Sequence, residues 1–171
     1  MLVSTILARV RNTLLDPSPG SAWTDTELID YMAEAITAII QAKPDAFVKT
    51  VPFTPAVGTL QALPADGIQF LDITHNITSG KVVREIDRDS LTRADPTWYA
   101  TSKNAADVQH FVSDVRNPLK FQVYPGNDGT GNVELVYSAS PTRIAAGTDT
   151  VPLTDACETP IWLVTVARAY A

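Results

Sequence analysis

The apolar positions of the chain follow two different periods. From Trp23 to Lys43, Leu28, Met32, Ala35, Ile36 and Ile39 recur at helical spacing, and Ile29 and Ile40 widen the stripe. Thr24-Asp25-Thr26-Glu27 ahead of that stripe fits a capping box, and Trp23 and Leu28 fit a hydrophobic staple across it. Asp25 and Glu27 set negative charge at the positive end of the helix dipole, and Pro44 ends the helix by disfavouring helical geometry at Lys43. Residues 2–16 predict an earlier helix: Val3, Ile6, Leu7, Val10 and Leu14 form its stripe, with Arg9, Arg11 and Asn12 facing outward. The connector Pro17-Ser18-Pro19-Gly20-Ser21 is short and stiff, so the two helices are expected to pack antiparallel.

After Pro44 the period becomes two. Phe47, Lys49, Val51 and Phe53 alternate with Val48, Thr50 and Pro52, predicting a strand that Pro52 confines to a sheet edge. Further strands are expected at Thr59–Leu63, Ile68–His75 and Val108–Val112, with Ser79-Gly80 turning a hairpin into Lys81–Ile86. Asp87–Ala94 reads as a short helix closed by Asp95-Pro96. The firmest β pattern is the pair Leu119–Tyr124 and Val133–Ser138, joined as a hairpin by the glycine-rich loop Pro125–Asn132. From Asp155 to Ala171 helical spacing returns through Ile161, Trp162, Val164, Val166, Ala167 and Tyr170. Either Thr159-Pro160 starts this helix, or it opens at Asp155 and Glu158 with Pro160 bending it. Its apolar pattern reaches Ala171 without a terminator, so the natural protein is expected to continue.

The expected fold class is α+β. Residues 1–46 and 154–171 form a small helical bundle, and residues 47–153 form an inserted, mainly antiparallel β domain, sandwich or barrel-like, that projects from it. At 171 residues such a chain can bury roughly 70% of its unfolded surface. The hydrophobic fraction of 45% and charged fraction of 19% describe a folded soluble chain. No apolar run approaches the ~20 residues that span a bilayer, and no secretory signal opens the sequence, so no membrane partner is expected. One cysteine, Cys157, excludes an intramolecular disulfide framework. A net charge of −6, with 13 scattered Lys and Arg, excludes a basic face that would hold nucleic acid by counterion release.

Catalytic chemistry finds few residues to carry it. The two histidines, His75 and His110, share strand parity with apolar neighbours and read as structural. Cys157 has no Cys-x-x-Cys or Cys–His context and reads as a packing residue. Asp87, Asp89 and Asp95 interleave with Arg84, Arg88 and Arg93, a mixture typical of a salt-bridged surface or subunit contact more than of a metal site. The Gly126–Gly131 segment lacks the Lys-Ser/Thr and following helix of a phosphate-binding loop, and Asn127 and Asp128 lack the spacing of a calcium loop. Asn76-Ile77-Thr78 is a formal glycosylation sequon with no secretory context. The expectation is a binding or building protein, not an enzyme, with no catalytic residues, metal or cofactor.

The order of these signals resembles a known family. Trp23-Thr24-Asp25-Thr26-Glu27-Leu28, Gly58-Thr59-Leu60-Gln61-Ala62-Leu63-Pro64, Asp95-Pro96-Thr97-Trp98, Phe121-Gln122-Val123-Tyr124-Pro125 and Val133-Glu134-Leu135-Val136-Tyr137 together resemble the head-to-tail adaptor (connector) proteins of tailed bacteriophages, especially the short-tailed type. The resemblance implies a homo-oligomeric ring, typically of twelve copies, in the virion at the head–tail junction, assembled in the host cytoplasm. It implies docking to the phage portal protein and to tail nozzle, tube or fibre proteins. It also implies double-stranded DNA passing through the lumen, without specific binding, during genome ejection. Such proteins usually run on past the closing helix.

An acidic subunit is compatible with that passage, because an acidic wall repels phosphate. The surfaces expected to meet other subunits or partners centre on Ile29, Ile40, Phe70, Trp98, Tyr99, Asn127 and Asp128, with a sandwich core for the Phe70 strand and a core plug for Trp98 and Tyr99 as the alternatives. Two alternatives belong to other classes. One is a β-sandwich recognition module binding carbohydrate or peptide through Trp98, Tyr99 and the Asn127–Asn132 loop. The other is a small hydrolase built on His75 or His110 with a nearby Asp.

Overall fold

The computed structural model describes residues 1–17 and 22–171. The fold is α+β, with helices and two sheets dividing into two compact units: Met1–Phe47 with Ser140–Ala171, and Val48–Ala139 between them in sequence.

The first unit is helical. Helix α1 spans Val3–Leu14 and helix α2 spans Asp25–Ala42; the chain's last helix, here α4, spans Glu158–Ala169 and packs against both. Helix α1 has no side-chain cap. Its first N–H groups are taken instead by the returning strand-like segment, Val3 donating to the Asp149 carbonyl and Ser4 to that of Gly147, both at 3.0 Å. The expected capping box of α2 is present: the Glu27 N–H donates to the Thr24 hydroxyl at 3.2 Å, and the Thr24 N–H to the Glu27 carboxylate at 2.8 Å. The Trp23 ring meets Tyr170 edge-on, 6.1 Å between centroids. Of the expected stiff connector, residues 18–21 lie outside the described residues.

One residue of α1 departs from the sequence reading. Arg11 faces inward, only 4% exposed. It lies four positions after Leu7 and three before Leu14, so the helix aims it along the buried stripe. Its guanidinium meets the Asp16 carboxylate and carbonyl at 3.2 Å, the Trp23 carbonyl at 3.1 Å and Asp25 at 2.9 Å through Nε. The cation thereby ties the end of α1 to the start of α2. At α4, a 3-10 turn over Asp155–Cys157 leads into Glu158, and Pro160 falls in the first turn. There its missing N–H has no intrahelical acceptor to leave unpaired.

The second unit is a sandwich. One sheet has the order β1 (Val48–Phe53), β7 (Val133–Ala139), β3 (Gly67–Asn76); the other has β2 (Gly58–Ala62), β6 (Lys120–Asn127), β5 (His110–Ser113), β4 (Arg84–Glu85). All pairings are antiparallel except β4 with β5. Aromatic rings fill the space between the sheets: Phe70 of β3 stacks on Phe121 of β6 at 4.4 Å and meets Phe111 of β5 edge-on at 5.2 Å. Each such buried ring contributes roughly 2–3 kcal/mol. Beside them, α3 (Arg88–Ala94) packs Leu91 against Trp98 and Val112. Pro52 sits on the edge strand β1, where the sequence places it.

One expected hairpin does not form, and another forms only beside its turn. Leu119–Tyr124 and Val133–Ser138 are strands, but β6 and β7 belong to different sheets. Alternation shows that a segment is a half-buried strand and does not show its partner. The glycines between them answer to close packing: a Cβ on Gly126 would stand 2.4 Å from the Asn104 side chain, and one on Gly131 2.0 Å from the Ala106 carbonyl. Likewise Lys81–Ile86 is no full hairpin strand. After the turn at Gly80, Val82 bridges His75 and the Val83 N–H reaches Thr74 at 3.1 Å; the chain then crosses to the other sheet as β4.

Candidate functional site

The residues expected at interfaces divide by burial. Ile29 (5% exposed), Ile40 (0%), Phe70 (6%), Trp98 (0%) and Asn127 (0%) are inside the subunit, so their side chains are not offered to a partner. Ile29 and Ile40 widen a stripe that the bundle itself covers. Trp98 is a core plug, its indole N–H donating to the Thr92 hydroxyl at 3.2 Å. Asn127 is spent on local bonds, donating to the Ala106 carbonyl at 3.1 Å and accepting from the Gly129 N–H at 2.7 Å. Tyr99 remains 53% exposed, stacked on Trp98 at 3.8 Å. Asp128 is exposed, and its carboxyl is held below the usual range by the Thr130 hydroxyl and then the Thr130 N–H. The recognition surface expected from Trp98, Tyr99 and the Asn127–Asn132 loop thus loses its indole and its first asparagine.

The titratable side chains are largely occupied in capping and pairing. Asp87 caps α3 by accepting from the Asp89 and Ser90 N–H groups at 3.0 and 3.1 Å. Asp95 is lowered below the ordinary carboxyl range, chiefly because Lys103 donates to it, against burial and with help from Thr97. Asp66 is lowered first by Lys49, and the Tyr137 hydroxyl donates to it at 3.0 Å; burial, then Asp66, raises Tyr137. Among the described residues no group of three or more His, Cys, Asp or Glu side chains is placed to hold a metal ion.

His75 has a hydroxyl and a carboxylate beside it, Thr74 at 2.9 Å and Glu134 at 3.5 Å, but both meet the same ring nitrogen, Nδ1. An imidazole relays a proton between two groups only when each has its own nitrogen. Around His110, Tyr124 lies parallel at 6.3 Å between centroids. Asn76 of the sequon is 1% exposed. Its amide accepts from the Val108 N–H at 2.8 Å and donates to the Val108 carbonyl at 2.7 Å, so the sequon serves as a structural clasp.

A shallow concavity of about 810 Å³ opens between α3 and the β5–β6 loop, and two smaller ones of about 220 and 120 Å³ adjoin that loop. Asp114 lines all three, bonded to the Arg116 N–H at 3.0 Å and within 3.5 Å of Arg88. The loop tip is exposed, Val115 at 92%. Sequence reading missed this region because no periodic pattern marks it. The signal available was Asp114-Val115-Arg116-Asn117-Pro118, a polar turn bearing one apolar residue whose strand-spaced neighbours, Ser113 and Asn117, are both polar.

The chain is a helical unit, its α2 closed by a capping box, interrupted in sequence by a β-sandwich unit, with many of its charges tied in local pairs. The model of the SU10 adaptor protein family matches residues 1–171, and the chain belongs to that family. It is thus a bacteriophage adaptor, a structural component of the phage particle. No curated protein matches the chain. Among the described residues no helix is long and apolar enough to cross a membrane.

Proposed function

We propose that the protein is a head-to-tail adaptor that assembles as a closed ring, of about twelve copies, between the portal and the tail. The family match over the whole chain carries this reading. In it, the helical unit supplies contacts between copies and with the portal. Leu163 (51% exposed) and Tyr170 (67%) of the α4 segment leave apolar surface for that purpose. The inserted sandwich unit, residues 47–153 in the broader sequence division, meets tail nozzle, tube or fibre proteins, with Tyr99, Asp128 and the Val115 loop at its surface. The protein acts by shape and multivalent contact, without turnover, cofactor or metal.

The double-stranded genome passes through the lumen of such a ring. A subunit charge of −6 supports passage without binding, because copies around the axis present net negative charge to phosphate. Mixing the purified protein with portal rings tests the reading by negative-stain imaging. A portal cylinder lengthened at one end is the expected result. Unchanged portal rings beside free subunits would overturn it.

A further inference from the structure

The sheet β2–β6–β5–β4 ends on one side at β2, whose strand neighbour is β6. Gln61 faces Phe121 and Ala62 faces Lys120 in that register, and the Leu63 N–H donates to the Leu119 carbonyl at 3.0 Å. Hydrogen-bonded pairs alternate along an antiparallel ladder. Gln61 and Leu63 therefore bond toward β6, while Leu60 and Ala62 direct their N–H and C=O groups to the open side.

The other edges of the sandwich are blunted against pairing. Edge strand β1 carries Lys49 and Pro52. Strand β3 is flanked by Val82 and Val83, and its Phe70 N–H donates to the Pro118 carbonyl at 2.8 Å. Strand β4 is two residues long, and both are charged. By contrast Gly58–Leu63 has no charge and no proline, and Leu60 at its centre is 55% exposed. A bulge between Gly58 and Leu60 confines the regular edge to residues 60–63.

We propose that the open edge of β2 docks an extended strand of another virion protein, which would add a fifth strand to this sheet; this rests on the adaptor reading. Two observations select that occupant. A closed ring is built from heterologous contacts, so one copy's β2 would need a different open edge on the next copy, and the remaining edges are blunted by charge, proline, short length or a flanking segment. Lys120 stands beside Ala62 on the exposed face and forms no ion pair among the described residues. Lys120 lies one strand in from the edge with only the small Ala62 between, so the docked segment is uncharged and apolar at alternate positions, with one carboxylate beside Ala62 that the long Lys120 side chain reaches across it.

Amide exchange at Leu60 and Ala62, compared between the purified protein and the complete phage particle, reads the docking directly. Protection by about a hundredfold in the particle is expected, with a strand of another polypeptide lying about 4.8 Å from β2 in a reconstruction of the particle. Leu60→Lys and Lys120→Glu, both at exposed positions, should leave the subunit folded and ring-forming yet lower the yield of complete particles by about tenfold. Unchanged exchange, a bare edge, a strand from another copy, or wild-type yields from both variants would overturn the proposal. Failure of the adaptor reading would show differently, as absence of the protein from the head–tail junction.

Discussion

Arg11 is the residue on which the helical unit leans most heavily, and composition gave no sign of it. A side chain counted among the exposed polar positions of α1 is buried against Asp16, Asp25 and the Trp23 carbonyl. Removing one member of a buried ion pair strands the other: Asp16 is itself only 4% exposed. Arg11→Ala is therefore expected to lower stability by about 3 kcal/mol in urea denaturation; a loss under about 0.5 kcal/mol would show that water replaces the guanidinium. Asp66 gives a pH-dependent counterpart in the sandwich. Its folded-state pKa is lowered by Lys49 first, so its contribution is complete above the ordinary Asp value and is lost as pH falls through the depressed one. Thermal melting of Asp66→Asn should therefore depend less on pH below about 4 than that of the unaltered protein. Equal slopes would remove Asp66 from the account.

At the scale of elements, legibility followed the range of the interactions. The capping box of α2 was readable because Thr24 and Glu27 are three residues apart and satisfy each other. Thr24→Ala should cost about 1 kcal/mol, measured by chemical denaturation, whereas Thr26→Ala two residues later, at an exposed position, should cost much less. Strand existence was readable from alternation, and Pro52 fixed β1 at an edge. Strand partnership was not. Strands β6 and β7 are neighbours in sequence yet belong to different sheets, because their connection is pinned by Ala105 and Ala106 through Gly126, Asn127 and Asp128. Those contacts span about twenty residues of chain, beyond what a local turn signal encodes. Apolar character alone left interface and core both open for Trp98 and Phe70, and this subunit's own elements cover them.

At the scale of the whole molecule, the chain is an adaptor whose chemistry is contact. The resemblance in the sequence reached the family before any fold was known, since it rested on the order of caps, turns and strands along the chain. The proposed contact surfaces depend instead on what each unit leaves exposed: Tyr99, Asp128, the Val115 loop, the outer residues of α4 and the edge of β2. The most direct measurement is the mass of the complex formed when the purified protein is added to portal rings. The account predicts a single discrete species, heavier than the portal by as many subunits as the portal ring contains. A portal mass that stays unchanged at saturating protein, with the added chains remaining monomeric, would contradict it.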